Sequence, residues 1–275
     1  WTPETVPRPR EFIYGVWGGS RPREYSDIIN AGMNVIMHTG PSKRWPNLER
    51  WEKYATHFGE DAPHITLGIQ EFLQYSYDDK IKSGEMVTEF PAETIRKKAE
   101  ERVEPLKDKR YPRAGWYIYD EPPLAATGHM RMLQSILRDF DPNHPPQYVF
   151  NSLPVIQIMG EHLPILMTDV YPRELVQRYM SRLRYSVHKT PVGDVWLMPA
   201  GHSARGHYPT PEETRAAVYM TIASGAKGLI FHVYAASRDY WQPKPDGWDW
   251  NRSAYRKTLH DEFGVPIGKN WEVLS

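Results

Sequence analysis

The chain has 275 residues, 34 Lys plus Arg against 34 Asp plus Glu, and no cysteine. Zero net charge argues against a nucleic-acid or membrane-surface protein, whose affinity comes from basic patches. The lack of cysteine excludes a disulfide scaffold, a zinc–thiolate site and a thiol nucleophile.

The predicted elements alternate in chain order. Phe12 to Trp17 reads as a strand, followed by a helical stretch from Tyr25 to Ala31 that stops at Gly32. Asn34 to Met37 is the second strand and ends in His38. Leu48 to Phe58 has helical spacing. His64 to Ile69 is the third strand and ends in Gln70-Glu71. A charged helix from Ala92 to Leu106 leads to the strand Gly115 to Tyr119, closed by Asp120-Glu121-Pro122-Pro123. An amphipathic helix, His129 to Phe140, stops at Asp141-Pro142. Gln147 to Phe150 is the fifth strand, and a helical turn is expected between Val155 and Gly160. Ile165 to Thr168 ends in Asp169-Val170-Tyr171 and is followed by a helix from Glu174 to His188. Val195 to Met198 leads to Ala200-Gly201-His202. Thr210 is placed as the N-cap of a helix from Pro211 to Ser224. Gly228 to Val233 is the last strand, before a Trp-rich loop from Tyr234 to Trp250 and a final helix from Ser253 to Phe263.

Eight strand–helix units in strict alternation, with short and mostly apolar strands, predict a single (β/α)8 barrel domain over residues 1–275. No apolar run reaches the ~20 residues of a membrane span. The chain opens at Trp1 without an initiator Met or signal peptide and looks processed or trimmed.

Active sites of such barrels lie at the C-terminal ends of the strands. In order, those ends carry Trp17, His38, Glu71, Asp120 with Glu121, Asn151, Asp169 with Tyr171, His202, and His232 with Tyr234. Two adjacent carboxylates repel each other, so one is inclined to hold a proton near neutral pH, as a general acid must. Pro122 is expected to keep Glu121 extended. The competing reading of Asp120-Glu121 is a pair of acids set against a helix dipole.

The Asp120-Glu121-Pro122 tip resembles the Asn-Glu-Pro tip of the large retaining clan of barrel glycoside hydrolases. That clan also has a nucleophilic Glu after the seventh strand, where this chain has Met198-Pro199-Ala200-Gly201-His202. The run from Trp116 to Pro123 is more similar to the Tyr-x-x-Asp-Glu-Pro tip of family 123, the β-N-acetylgalactosaminidases. This resemblance implies a substrate-assisted reaction. Glu121 would be the acid/base, and Asp120 would orient the 2-acetamido group that acts as nucleophile.

The expected activity is therefore hydrolysis of glycosidic bonds in an oligo- or polysaccharide, without a cofactor. Glu121 is the expected acid, Asp120 its assistant, and Asp169 the candidate base, nucleophile or stabiliser. A retaining carboxyl pair would be ~5–5.5 Å apart and an inverting pair ~6.5–9.5 Å apart. Trp17, His38, Glu71, Tyr119, Asn151, Tyr171, His202, His232, Tyr234 and Trp241 are the candidate sugar contacts. The 13% aromatic content fits stacking on sugar rings, and equally a Trp-rich core. Two alternatives stand beside this reading. One is a metal-dependent barrel hydrolase or isomerase using His38, Glu71, His202 and His232; the other is a barrel that binds glycans without cleaving them. The expected location is secreted or periplasmic.

Overall fold

A computed structural model describes residues 11–18, 28–38, 48–68, 92–106, 113–169, 176–191, 193–199 and 210–232. Its strands are β1 (Ile13–Trp17), β2 (Val35–His38), β3 (His64–Gly68), β4 (Arg113–Asp120), β5 (Pro146–Phe150), β6 (Ile165–Asp169), β7 (Asp194–Met198) and β8 (Gly228–Phe231). Each pairs in parallel with the next, and β8 pairs with β1, so the sheet closes into a barrel. Helices α1 (Leu48–Phe58), α2 (Ala92–Val103), α3 (Thr127–Phe140), α4 (Leu153–Met159), α5 (Val176–Lys189) and α6 (Pro211–Ala223) connect them among the described residues. The fold is the (β/α)8 barrel that the alternation predicts. The final helix and the Trp-rich loop lie outside the described residues.

Strand periodicity divides the apolar residues into two layers. Ile13, Trp17, Val35, Met37, Tyr117, Val149, Ile165, Met167, Trp196, Met198 and Ile230 fill the barrel interior. The other face of the strands packs against the helices. There Val16, Ile36, Ile65, Ile118, Tyr148, Leu166, Leu197 and Leu229 meet Met130, Leu133, Leu137 and Leu183. Burying each such aliphatic side chain contributes about 1.5–3 kcal/mol. Helix α3 shows why the sequence folds this way: Met130, Leu133 and Leu137 recur at helical spacing and are buried.

The interior is filled by large side chains only because glycine makes room for them. A Cβ on Gly228 would lie 2.6 Å from Cδ1 and Cγ of Trp196, and 2.9 Å from Cβ of Ile13. Polar groups inside the barrel bond one another: Thr66 Oγ1 donates to Gln147 Oε1 at 3.0 Å, and Gln147 Nε2 donates to the Ala114 carbonyl at 3.0 Å. Helix α6 begins as expected at Thr210. The Thr210 hydroxyl accepts from Glu213 N at 3.2 Å, and Glu213 Oε2 accepts from Thr210 N at 2.8 Å. Such a reciprocal cap contributes about 1 kcal/mol.

Candidate active site

Strand β4 sets the site, and it does so through an irregularity. Tyr117 pairs with Gln147, Tyr119 with Tyr148 and Asp120 with Val149, so Ile118 is an extra residue between two registers. Such a bulge re-aims every side chain after it. Tyr148 belongs to the helix-facing layer and Val149 to the interior. Tyr119 therefore joins Ile118 on the outside, and Asp120 takes the inward position opposite Val149. With unbroken alternation the two would be exchanged.

This corrects the expectation that Tyr119 contacts sugar. Tyr119 is buried in the helix-facing cluster, with its ring 6.0 Å from that of His129 in α3. Burial pushes the His129 pKa down to about 4 and keeps that imidazole neutral. The tyrosine that serves the site is Tyr117, two residues earlier. It faces the interior, and its hydroxyl lies near enough to Asp120 to favour the ionised carboxylate.

Glu121 follows at the strand tip. Its amide still donates to Val149 O at 2.9 Å, but its φ is +44°, the one positive value at a non-glycine residue among the described residues. Pro122 was expected to hold Glu121 extended; instead the chain leaves the strand through the left-handed region. That conformation costs an L-residue about 1–2 kcal/mol and recurs at functional sites. It leaves the exposed Glu121 carboxyl hydrogen-bonded to Asp169, which ends β6. The bond passes over β5, which separates β4 from β6 in the barrel.

Asp169 follows Ile165 and Met167 on the inward face and is 6% exposed. Burial pushes its pKa up to about 8, the hydrogen bond it donates to Glu121 and that residue's charge push the same way, the Arg182 guanidinium opposes, and Asp120 adds a further upward push. Its Oδ1 is buried without a hydrogen-bond partner. At neutral pH Asp169 therefore holds the proton that joins the two carboxyls. Asp120 is exposed, yet the protein around its carboxyl removes enough water to raise its pKa. The nearby Tyr117 hydroxyl opposes the rise, and the Glu121 charge reinforces it. Three carboxyls from two strands thus share one small region with restricted water.

The floor beneath them is aromatic. The Trp17 ring lies 4.8 Å from Tyr117 and 5.2 Å from His232, both edge-to-face. Trp17 is 9% exposed, so it supports the floor more than it presents a free stacking face. His232 is partly buried, and its amide donates to Pro199 O at 3.0 Å. Asn151 is exposed just beyond the end of β5, and His38 closes β2. Glu71, Tyr171, His202, Tyr234 and Trp241 lie outside the described residues. Among the described residues no group of three or more His, Asp or Glu is arranged to hold a metal, and no helix is long and apolar enough to cross a membrane.

Two residues of the site escaped the sequence reading. Tyr117 was hidden by the bulge, which has no signature in the residue pattern. Arg182 lies in α5, in the helical layer, and nothing local links it to a strand end. Its Nε and Nη2 are buried without hydrogen-bond partners, so its charge acts on Asp169 with little solvent screening.

No family model matches the chain, and no curated protein matches it significantly. Solved structures do match it, at identities that speak for the fold alone. A β-D-glucuronidase from Dictyoglomus thermophilum superposes with a TM-score of 0.65 at 11% identity, covering 96% of this chain and 50% of that one. An endo-1,4-β-D-mannanase from Thermotoga petrophila gives 0.59 at 12% identity, covering 96% and 98%. Active domain 2 of a chitinase from Pyrococcus furiosus gives 0.62 at 10% identity, covering 98% and 95%. The chain spans about half the length of the glucuronidase it resembles.

Proposed function

We propose that the protein is a glycoside hydrolase whose acid/base is Glu121. The observation that carries this reading is the hydrogen-bonded Glu121–Asp169 pair at the barrel mouth, with one proton held between two carboxyls. Acid catalysis needs a proton that is still held near neutral pH, and the buried Asp169 carboxyl holds one in hydrogen-bond contact with Glu121. Named glycosidases among the structures with this fold add support for the class.

The pair also bears on the type of mechanism. Two carboxyls in direct hydrogen-bond contact are closer together than the ~5–5.5 Å of a retaining pair or the ~6.5–9.5 Å of an inverting pair. A sugar ring does not fit between them, so both act from one side. That arrangement favours substrate assistance, in which a 2-acetamido oxygen attacks the anomeric carbon. The glycosidic C–O bond breaks as Glu121 delivers to the departing oxygen the proton that Asp169 passes to it across their hydrogen bond, which leaves both carboxyls ionised. Water then adds at the anomeric carbon and displaces the acetamido oxygen from it, giving its proton to Glu121 and so restoring the proton shared by the pair. Asp120, directed inward by the bulge, orients the acetamido group. A polysaccharide substrate of this kind places the enzyme in a secreted or periplasmic setting.

The test is a product screen. Wild type and Glu121→Gln are incubated with a glycan panel that includes N-acetylhexosamine polymers, and released sugars are separated by chromatography. Release by the wild type, restricted to acetamido sugars and lowered at least ~100-fold in the variant, is the expected result. Equal turnover by the variant refutes the role of Glu121. Release from sugars without an acetamido group refutes substrate assistance, and binding without product refutes the hydrolase.

A further inference from the structure

The outer layer carries a second cluster, remote in chemistry from the three carboxyls. Arg131, Gln134, Ser135 and Arg138 of α3 fall at i, i+3, i+4 and i+7, so they share one helix face. With His162, in the turn after α4, they line a cavity of about 260 Å3. Helix α3 starts beyond the C-terminal end of β4 and runs back along the barrel, so the cluster extends away from the mouth.

The walls of this cavity are fixed to each other. Arg131 Nη2 donates to the Ile158 carbonyl at 3.2 Å, and the Gln134 amide donates to the His162 carbonyl. Those bonds leave most of the guanidinium donors of Arg131, all of those of Arg138, and the Ser135 hydroxyl for a ligand. No carboxylate is among the lining residues. Elsewhere on the surface arginines meet acids: Arg96 pairs with Asp139 at 2.9 Å, and Arg215 with Glu212 at 3.8 Å. Arg131 and Arg138 have no such partner among the described residues. Their Cα atoms are about 10 Å apart along the helix, a span that two long side chains close by converging on one group.

We propose that this cavity is an oxyanion-binding site, separate from the carboxyl cluster, that takes a sulfate, phosphate or carboxylate group. Two guanidinium forks meet such a group with paired, charge-assisted hydrogen bonds, and Ser135 and the His162 ring offer further donors. The bound anion also removes the repulsion between two unpaired cations on one face. The inference is independent of any reaction at the barrel mouth.

Calorimetric titrations at low ionic strength test it, with inorganic sulfate, inorganic phosphate and glucuronate as separate probes and neutral glucose as control. Saturable binding of at least one anion and none of glucose is expected, because exposed charge pairs act strongly only when salt is low. Arg131→Gln and Arg138→Gln should each weaken it about tenfold or more. Arg215→Gln, which removes an arginine already paired on another helix, should leave it unchanged. Preference for glucuronate assigns the site to an acidic sugar, and preference for the inorganic ions to a phosphate or sulfate ester. Absence of saturable binding to the wild type overturns the proposal, as does equal binding by the double variant. Circular dichroism confirms that each variant is folded.

Discussion

Asp169→Asn isolates the consequence of burying an acid in a site that already holds negative charge. In the folded chain the Asp169 pKa is raised from an ordinary 3.8 to about 8. Below pH 4 folded and unfolded chains both carry the proton, and Asn, nearly identical in shape, should change stability little. Between pH 4 and 8 the unfolded chain has released a proton that the folded chain retains. Stability then falls as pH rises, by up to about 1.4 kcal/mol per pH unit, and levels off above pH 8. The full rise corresponds to on the order of 5 kcal/mol. Approach of water and of Arg182 to the ionised carboxylate reduces the effect, so the expected difference is about 2–5 kcal/mol. Asn cannot ionise, so the variant should match the wild type near pH 4 and exceed it by that amount near pH 8.5. The assay is urea unfolding of both proteins across this range, comparing midpoints at equal slope. A stability difference that stays flat with pH, within roughly 0.5 kcal/mol, refutes the reasoning. Activity should move the opposite way, since Asn has no proton to pass to Glu121.

Other substitutions probe the backbone and the packing. Glu121→Gly should stabilise the fold by about 1 kcal/mol in urea unfolding, because glycine adopts φ +44° without strain; a less stable variant contradicts the strained-tip account. Gly228→Ala should destabilise by about 1–3 kcal/mol, since the added Cβ lies 2.6 Å from the Trp196 ring. In a thermal melt that is a loss of roughly 2–12 °C, and an unchanged melting temperature would show that the indole moves aside freely.

Much of the fold was legible in the sequence because its signals are local. Apolar runs bounded by glycine and proline marked the strands, and helical spacing marked Leu48–Phe58 with the bounds the structure has. The cap at Thr210 was visible in the pattern Thr-Pro-Glu-Glu. Strand ends pointed to Asp120, Glu121 and Asp169 because a parallel barrel puts those ends on one face. Tyr119 was misplaced for the same reason that made the strands readable. The reading assumes strict alternation, and the bulge at Ile118 breaks it.

By itself the sequence determined that eight short apolar strands would alternate with amphipathic helices and that acids would stand at the ends of the fourth and sixth strands. Only the tertiary structure decided which acid faces inward, which tyrosine meets it, and which carboxyls share a proton. Periodicity is a property of neighbouring residues and survives in any window of the chain. The Glu121–Asp169 contact joins positions 48 residues apart across an intervening strand, and the charge of Arg182 reaches Asp169 from the helical layer. Both depend on closure of the barrel, which brings those groups together and removes the water that would otherwise screen them.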